Sequence, residues 1–214
     1  RGINVKTICF LRDPKGFVAS SLQEKIKAGL QDVGPISPLY RKRLRYFRKM
    51  VTKQNFILRD YADVVSQHAD AVAAFYALCG LDSTQIHAER ANTGLSLTAT
   101  RLLLRLNRLQ MATLGTPQKL KARQTCIDLL SAAFPRTPTD SLDPDALSGL
   151  QAKNLQEDID YVAEMYAIDY AAPAGHQNLR DADNYLSDVT TIHRDTVADI
   201  LNHHDIPIAS HQTL

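Results

Sequence analysis

Apolar and polar positions follow two different periods along this chain, and the change between them divides it. Val5-Lys6-Thr7-Ile8-Cys9-Phe10-Leu11 is rich in strand-forming residues, and its second half is apolar at consecutive positions. Such a run suits a parallel strand buried on both faces. It ends at Arg12-Asp13-Pro14, where Asp13 is a good helix cap and Pro14 a good first helical residue. The period then becomes helical. Val18, Leu22 and Ile26 form a stripe in a helix that runs to about Ala28, and Gly29 stops it. Gly34, Pro35 and Pro38 break the chain. A second helix is expected over about 39–53, with Leu39, Leu44, Phe47 and Met50 or Val51 turned inward. Asn55-Phe56-Ile57-Leu58-Arg59 reads as a second strand. Two strands separated by two helices fit a crossover in a parallel sheet.

The rest of the chain reads as helical. Ser66 is placed as the cap of a helix through Leu78, stopped by Gly80, with Val72, Phe75, Tyr76 and Cys79 inward. Ser96 caps a helix to about Leu109, with Leu102, Leu106 and Leu109 on one stripe and Arg101, Arg105 and Arg108 on another. Thr116-Pro117 starts a helix to about Ala133, and Leu155–Tyr166 carries Ile159, Val162 and Tyr166. Residues 171–214 are polar and acidic, with helical stretches expected near 181–186 and 190–202. The fold class is therefore α/β, with parallel strands near 5–11 and 55–59 and a predominantly helical remainder.

Composition changes this picture in one respect. The net charge is only +2, but residues 1–125 hold 21 Lys and Arg against 8 Asp and Glu, whereas residues 126–214 hold 4 against 15. The basic part is the expected home of an anionic ligand. No apolar run approaches the roughly 20 residues of a bilayer span, and no stretch within residues 1–214 reads as a signal peptide. Cys9, Cys79 and Cys126 are widely spaced in apolar contexts, which suits buried free thiols in a reducing compartment and a cytoplasmic location. Arg1 runs almost at once into a core strand, so the chain is expected to be the continuation of a longer protein.

The segment that carries chemistry is Cys9-Phe-Leu-Arg-Asp-Pro-Lys-Gly-Phe-Val-Ala-Ser20. Arg12 lies where a parallel strand gives way to a helix, the edge at which α/β proteins bind ligands. The helix N-terminus offers N–H groups and a partial positive charge suited to phosphate. Arg12 brings a bidentate fork, and Ser20, on the second helical turn, a hydroxyl. The alternative is that Arg12 pairs with Asp13 and Ser20 is only a small helical residue.

At these residues the chain resembles the sulfotransferase family. Members share a strand ending in Arg-x-Pro and a following helix with Ser, which together hold the 3′-phosphate of the donor PAPS (3′-phosphoadenosine 5′-phosphosulfate). Arg12, Pro14 and Ser20 match, with the same eight-residue step from Arg to Ser. Further likeness lies in Tyr40-Arg-Lys-Arg-Leu…Asn55-Phe-Ile-Leu-Arg-Asp-Tyr61 and in Asp70-Ala-Val-Ala-Ala-Phe75…Leu78-Cys-Gly80-Leu81. It continues in Asn92…Leu95-Ser-Leu-Thr-Ala…Leu102-Leu-Leu-Arg-Leu-Asn107-Arg and in Asp158–Asp169.

The resemblance is to bacterial-type members and covers roughly 5–170, leaving 171–214 as an acidic, helical or partly disordered extension. It implies a P-loop-type sheet cut short on its N-terminal side, PAPS as donor, and Arg12 and Ser20 as donor-binding residues. It further implies sulfuryl transfer to an acceptor hydroxyl, with saccharides among the candidate acceptors. The family's phosphosulfate loop and its usual catalytic base precede the Arg-x-Pro strand, and nothing in residues 1–214 matches that loop. On this resemblance, the chain by itself is expected to be inactive and its catalytic residue is unassigned.

Other patterns are weaker. The Lys- and Arg-rich helix suits nucleic-acid phosphates, but no aromatic platform or helix-turn-helix pattern accompanies it. A solvated face, or a flank of the anionic donor or a sulfated acceptor, is expected instead. The competing class is a non-catalytic helical module with an anionic partner, a nucleic acid or an acidic protein. Arg101, Arg105 and Arg108 are read as a solvated or interface stripe able to pair with the acidic third. Asp60 and Asp63 suit turn and capping roles. His68 and His87 are expected at the surface. His193, His203, His204 and Asp205 make a poor metal set, since adjacent histidines diverge on a helix.

Overall fold

The computed structural model describes residues 5–68, 70–82, 94–108, 116–172, 178–189, 195–199 and 202. It is α/β, mostly helical, with a two-stranded parallel sheet. Strand β1 (Thr7–Leu11) pairs with β2 (Phe56–Asp60), in register from Thr7 opposite Phe56 to Leu11 opposite Asp60. Among the described residues the helices include α1 (Pro14–Lys27), α2 (Tyr40–Met50), α3 (Tyr61–Gln67), α4 (Ala71–Cys79), α5 (Leu97–Arg108), α6 (Thr116–Ala133), α7 (Leu155–Tyr166) and α8 (Leu179–Ser187). Two compact units result. The first is Arg1–Phe17, Ser37–Asn92 and Ala152–Pro173; the second is Val18–Ile36, Thr93–Gln151 and Ala174–Leu214.

The first unit holds the sheet. Leu11, Leu58, Tyr40, Leu44, Tyr161 and Val162 form its buried core, and Cys9, Phe56, Tyr166, Ile168 and Tyr170 pack against them. β1 is less buried than a strand covered on both faces: of its residues only Leu11 is fully buried. α2 packs against α7. Leu39, ahead of α2, sits in the left-handed region at φ 53° and offers no side-chain cap. The cap comes instead from α7, where Asp158 Oδ1 accepts the Arg41 N–H at 2.9 Å and Glu157 pairs with the Arg41 guanidinium at 3.0 Å. A carboxylate at a helix N-terminus satisfies an orphan donor and complements the helix dipole.

This docking corrects the expected inward face of α2. Tyr40 and Leu44 are buried, but Phe47, Tyr46 and Met50 are 42%, 64% and 65% exposed. The face turned to α7 includes Arg41 and also Arg45, whose guanidinium lies 5.4 Å from the Tyr161 ring. The flank bearing Arg43, Phe47 and Met50 is thereby rotated outward. Two shorter helices replace the single one placed at 66–78. Asp60 caps α3 and Asp70 caps α4, while Ser66 sits in the last turn of α3 and donates its hydroxyl to the Asp63 carbonyl. Ala74 is the buried residue of α4; Val72, Phe75 and Cys79 are exposed. Gly80 stops α4 at φ 71°, as its position implies.

The second unit is helical. Val18, Leu22 and Ile26 of α1 are buried, as are Leu102, Leu103, Leu104 and Leu106 of α5. Cys126, Leu130, Leu147, Leu150, Ala182 and Leu186 extend the core. Ser96 caps α5, accepting the Ala99 N–H at 3.0 Å. Buried polar side chains tie the segments together. Gln23 Nε2 donates to the Leu95 carbonyl at 2.8 Å. Asn107 Nδ2 donates to the carbonyls of Ile26, in the last turn of α1, and Leu30, just past it, at 2.8 and 3.0 Å. Among the described residues, no helix is long and apolar enough to cross a membrane.

Candidate anion site at the carboxyl edge of the sheet

β1 and β2 run parallel and end together at Leu11 and Asp60, so the residues that follow share one sheet edge. Arg12 follows β1, and Tyr61 opens α3 directly after β2. The Arg12 guanidinium lies 4.6 Å from the centre of the Tyr61 ring. This cation–π geometry contributes about 0.5–1 kcal/mol or more, depending on how dry the pair is. On its other side the Arg12 stem runs along the first turn of α1: a Cβ added to Gly16 would meet Arg12 Cγ and Cδ at 3.6 Å. Arg12 is half-buried and held by packing along its stem and its planar head.

Two tyrosines fix the backbone from which Arg12 projects. The Tyr40 hydroxyl donates to the Arg12 carbonyl at 2.5 Å. The Tyr170 hydroxyl donates to Asp60 Oδ2 at 2.7 Å and lies 3.3 Å from the Leu11 carbonyl. Burial, and then the Asp13 charge, push the Tyr40 phenol well above its usual range. Burial, and then the hydrogen bond to Asp60, do the same for Tyr170. Both phenols therefore stay protonated donors and are unsuited to act as bases.

The helix N-terminus supplies less than its position promised. Pro14 has no N–H. Asp13 caps α1, its Oδ2 taking the Gly16 N–H at 2.9 Å and its carbonyl taking the Phe17 N–H at 2.8 Å. Binding of an anion here thus falls to side chains and the helix dipole rather than to a cradle of backbone N–H groups. Asp13 and Asp60 lie beside Arg12 in sequence or at the sheet edge; Asp13 Oδ2 is engaged by its cap bond, and both Asp60 oxygens are engaged. Asp60 Oδ1 accepts from the N–H groups of Ala62 and Asp63 at 2.8 and 3.0 Å, which is its capping role, and Oδ2 takes Tyr170.

Ser20 lies on the second turn of α1 and is half-buried. It follows Gly16 by four residues and shares its helix face. The boundary between the two units falls inside α1, between Phe17 and Val18, so Arg12 belongs to the first and Ser20 to the second. Of the other candidates, His68 is half-buried after α3. His87, His193, His203, His204 and Asp205 lie outside the described residues. Among the described residues no group of three or more His, Cys, Asp and Glu is placed to hold a metal ion.

Tyr40, Tyr61 and Tyr170 were not singled out by the sequence pattern. Tyr61 carries a usable signal, since it directly follows a predicted strand at the same edge as Arg12. Tyr170 carries none, because it reaches Asp60 across 110 positions. In comparison with known proteins, no family model matches the chain, and neither does a curated protein or a solved structure.

Proposed function

We propose that this chain is part of a sulfotransferase, the part that holds the 3′-phosphate of PAPS while a sulfuryl group passes to an acceptor hydroxyl, with saccharide hydroxyls as candidate acceptors. The observation that carries this reading is Arg12 itself. It stands at the carboxyl end of a parallel strand, directly before a capped helix, with its guanidinium stacked on Tyr61. In this reading Arg12 forms charge-assisted bonds to the phosphate, and Tyr61, Tyr40 and Tyr170 keep Arg12 in place; a role for the Ser20 hydroxyl is implied by the family resemblance alone. The acceptor oxygen attacks sulfur, the bond from sulfur to the donor's phosphate oxygen breaks, and adenosine 3′,5′-bisphosphate leaves. The acceptor proton passes to a base not assigned within these residues. The P-loop character of the sheet belongs to the same proposal.

A 3′-phosphate site makes a specific demand. In calorimetry on the full-length protein, adenosine 3′,5′-bisphosphate is expected to bind at least about tenfold more tightly than adenosine 5′-monophosphate, the worth of one charge-assisted contact. Equal affinities would contradict the reading.

A second reading, a non-catalytic module with an anionic partner, has one observation in its favour: the exposed cations of α2 beside Tyr46 and Phe47, whose rings lie 6.0 Å apart edge to face. If a Lys42→Gln/Lys49→Gln variant leaves a heparin column at the same salt concentration as the unaltered protein, that support disappears.

A further inference from the structure

We propose that the second unit carries a separate binding site for a small phosphomonoester, between α5 and α8. A cavity of about 300 Å³ opens there, at the lower end of the roughly 300–1,000 Å³ range of small-molecule pockets. Among the described residues its walls include the guanidinium-bearing Arg101, Arg105 and Arg108, the Ser187 hydroxyl, and an apolar floor of Leu104 and Leu186. Cationic forks over an apolar base suit a ligand with a doubly charged head and a small organic body.

The three arginines differ in what they already hold. Arg108 is an anchor: its Nε donates to the Gln31 carbonyl, one terminal nitrogen to Ser187 Oγ at 2.9 Å, and the other pairs with Asp183. Because Ser187 Oγ accepts that bond, its own proton points to another acceptor. Arg101 is loosely held. Its guanidinium rests 4.8 Å from the Tyr185 ring, its buried Nε has no hydrogen-bond partner, and its carboxylate partner Asp188 stands at 3.7 Å and is 76% exposed. A phosphate dianion competes for Arg101 with a distant, solvated carboxylate that swings into water at little cost. In the unliganded protein Asp188 therefore stands where the ligand's anionic head binds.

This arrangement gives opposite expectations for neighbouring residues. Phenyl phosphate is the probe, titrated into the full-length protein by calorimetry. Arg101→Gln is expected to weaken its binding about tenfold or more, as loss of a charge-assisted contact does. Asp188→Asn is expected to strengthen it severalfold, and to do so equally in an Arg12→Ala background. Benzoate, with the same ring and a single charge, is expected to bind more weakly than phenyl phosphate. If Arg101→Gln does not fold, Asp188→Asn alone decides, since its side chain is exposed. Absence of phenyl phosphate binding at about 10 mM, or binding that Asp188→Asn leaves unchanged or weakens, overturns the proposal. Loss of binding in Arg12→Ala assigns the ligand to the sheet edge instead and overturns it equally.

Discussion

α2 and α5 both carry cations on successive turns, yet in α2 most of them face solvent, while in α5 they lie against α8. Lys42, Arg43 and Lys49 of α2 are exposed. Arg101 and Arg108 of α5 meet Asp188, Asp183, Ser187 and the Tyr185 ring. The apolar faces differ in the same sense. α5 buries Leu102, Leu103, Leu104 and Leu106, whereas α2 buries only Tyr40 and Leu44. A run of arginines therefore does not define a function. Its role depends on how many of its cations a second element meets with carboxylates: among the described residues α7 brings Glu157 to Arg41 of α2, whereas Asp183 and Asp188 meet Arg108 and Arg101 of α5.

The largest expected contrast is in core packing. Leu103→Ala, at a fully buried site, should cost about 2–5 kcal/mol in denaturant unfolding. Tyr46→Ala or Met50→Ala in α2 should stay within about 0.5 kcal/mol. Equal losses would mean that α2's outer flank is covered in solution. Next comes the polar tie of α5: Asn107→Ala takes one of two donors from the Ile26 carbonyl, which keeps the Gly29 N–H, and removes the side-chain donor to the Leu30 carbonyl, and should cost about 1–3 kcal/mol.

Alkaline pH separates the helices further. Burial pushes the Cys126 thiol of α6 from 9.0 to about 11. A group whose pKa is higher in the folded state holds its proton more tightly there. Its contribution is thus complete below pH 9.0 and lost as pH rises through about 11. Unfolding midpoints measured across that window should fall, and Cys126→Ala should flatten the fall. The smallest effect is in the ion pairs. Arg108→Gln should cost about 1 kcal/mol or less, because both partners are partly solvated, and Lys42→Gln should be neutral within about 0.5 kcal/mol.

Much of the fold could be read from local pattern. The stripe of α1, the limits of α7 and the capping of α5 by Ser96 follow from residues a few positions apart, where period and cap chemistry act. The parallel strands follow from their composition and spacing. What escaped were choices made by distant partners. Helical period shows that Leu44 and Phe47 are near neighbours on α2, but not that Asp158 and Glu157 would hold Arg41 against α7 and leave Phe47 exposed. It placed Val72 and Phe75 inward, where Ala74 is the residue that fits. The candidate site shows the same division. Arg12, Asp13 and Pro14 form a local signature of a strand-to-helix edge. The stacking of Arg12 on Tyr61 and the brace from Tyr170 to Asp60 depend on the register between β1 and β2 and on a residue far along the chain. Asp13's engagement of the Gly16 N–H is also a local effect: a good cap consumes the donors that would otherwise greet an anion.

The central claim rests on Arg12, and one titration tests it most directly. Adenosine 3′,5′-bisphosphate is titrated into the full-length protein and into its Arg12→Ala variant, with thermal unfolding confirming that the variant is folded. The account predicts that the unaltered protein binds it and that the affinity is about 10- to 100-fold lower in the variant, the worth of one charge-assisted contact. Equal affinity in the two proteins, or no binding to the unaltered protein at about 1 mM, would contradict it.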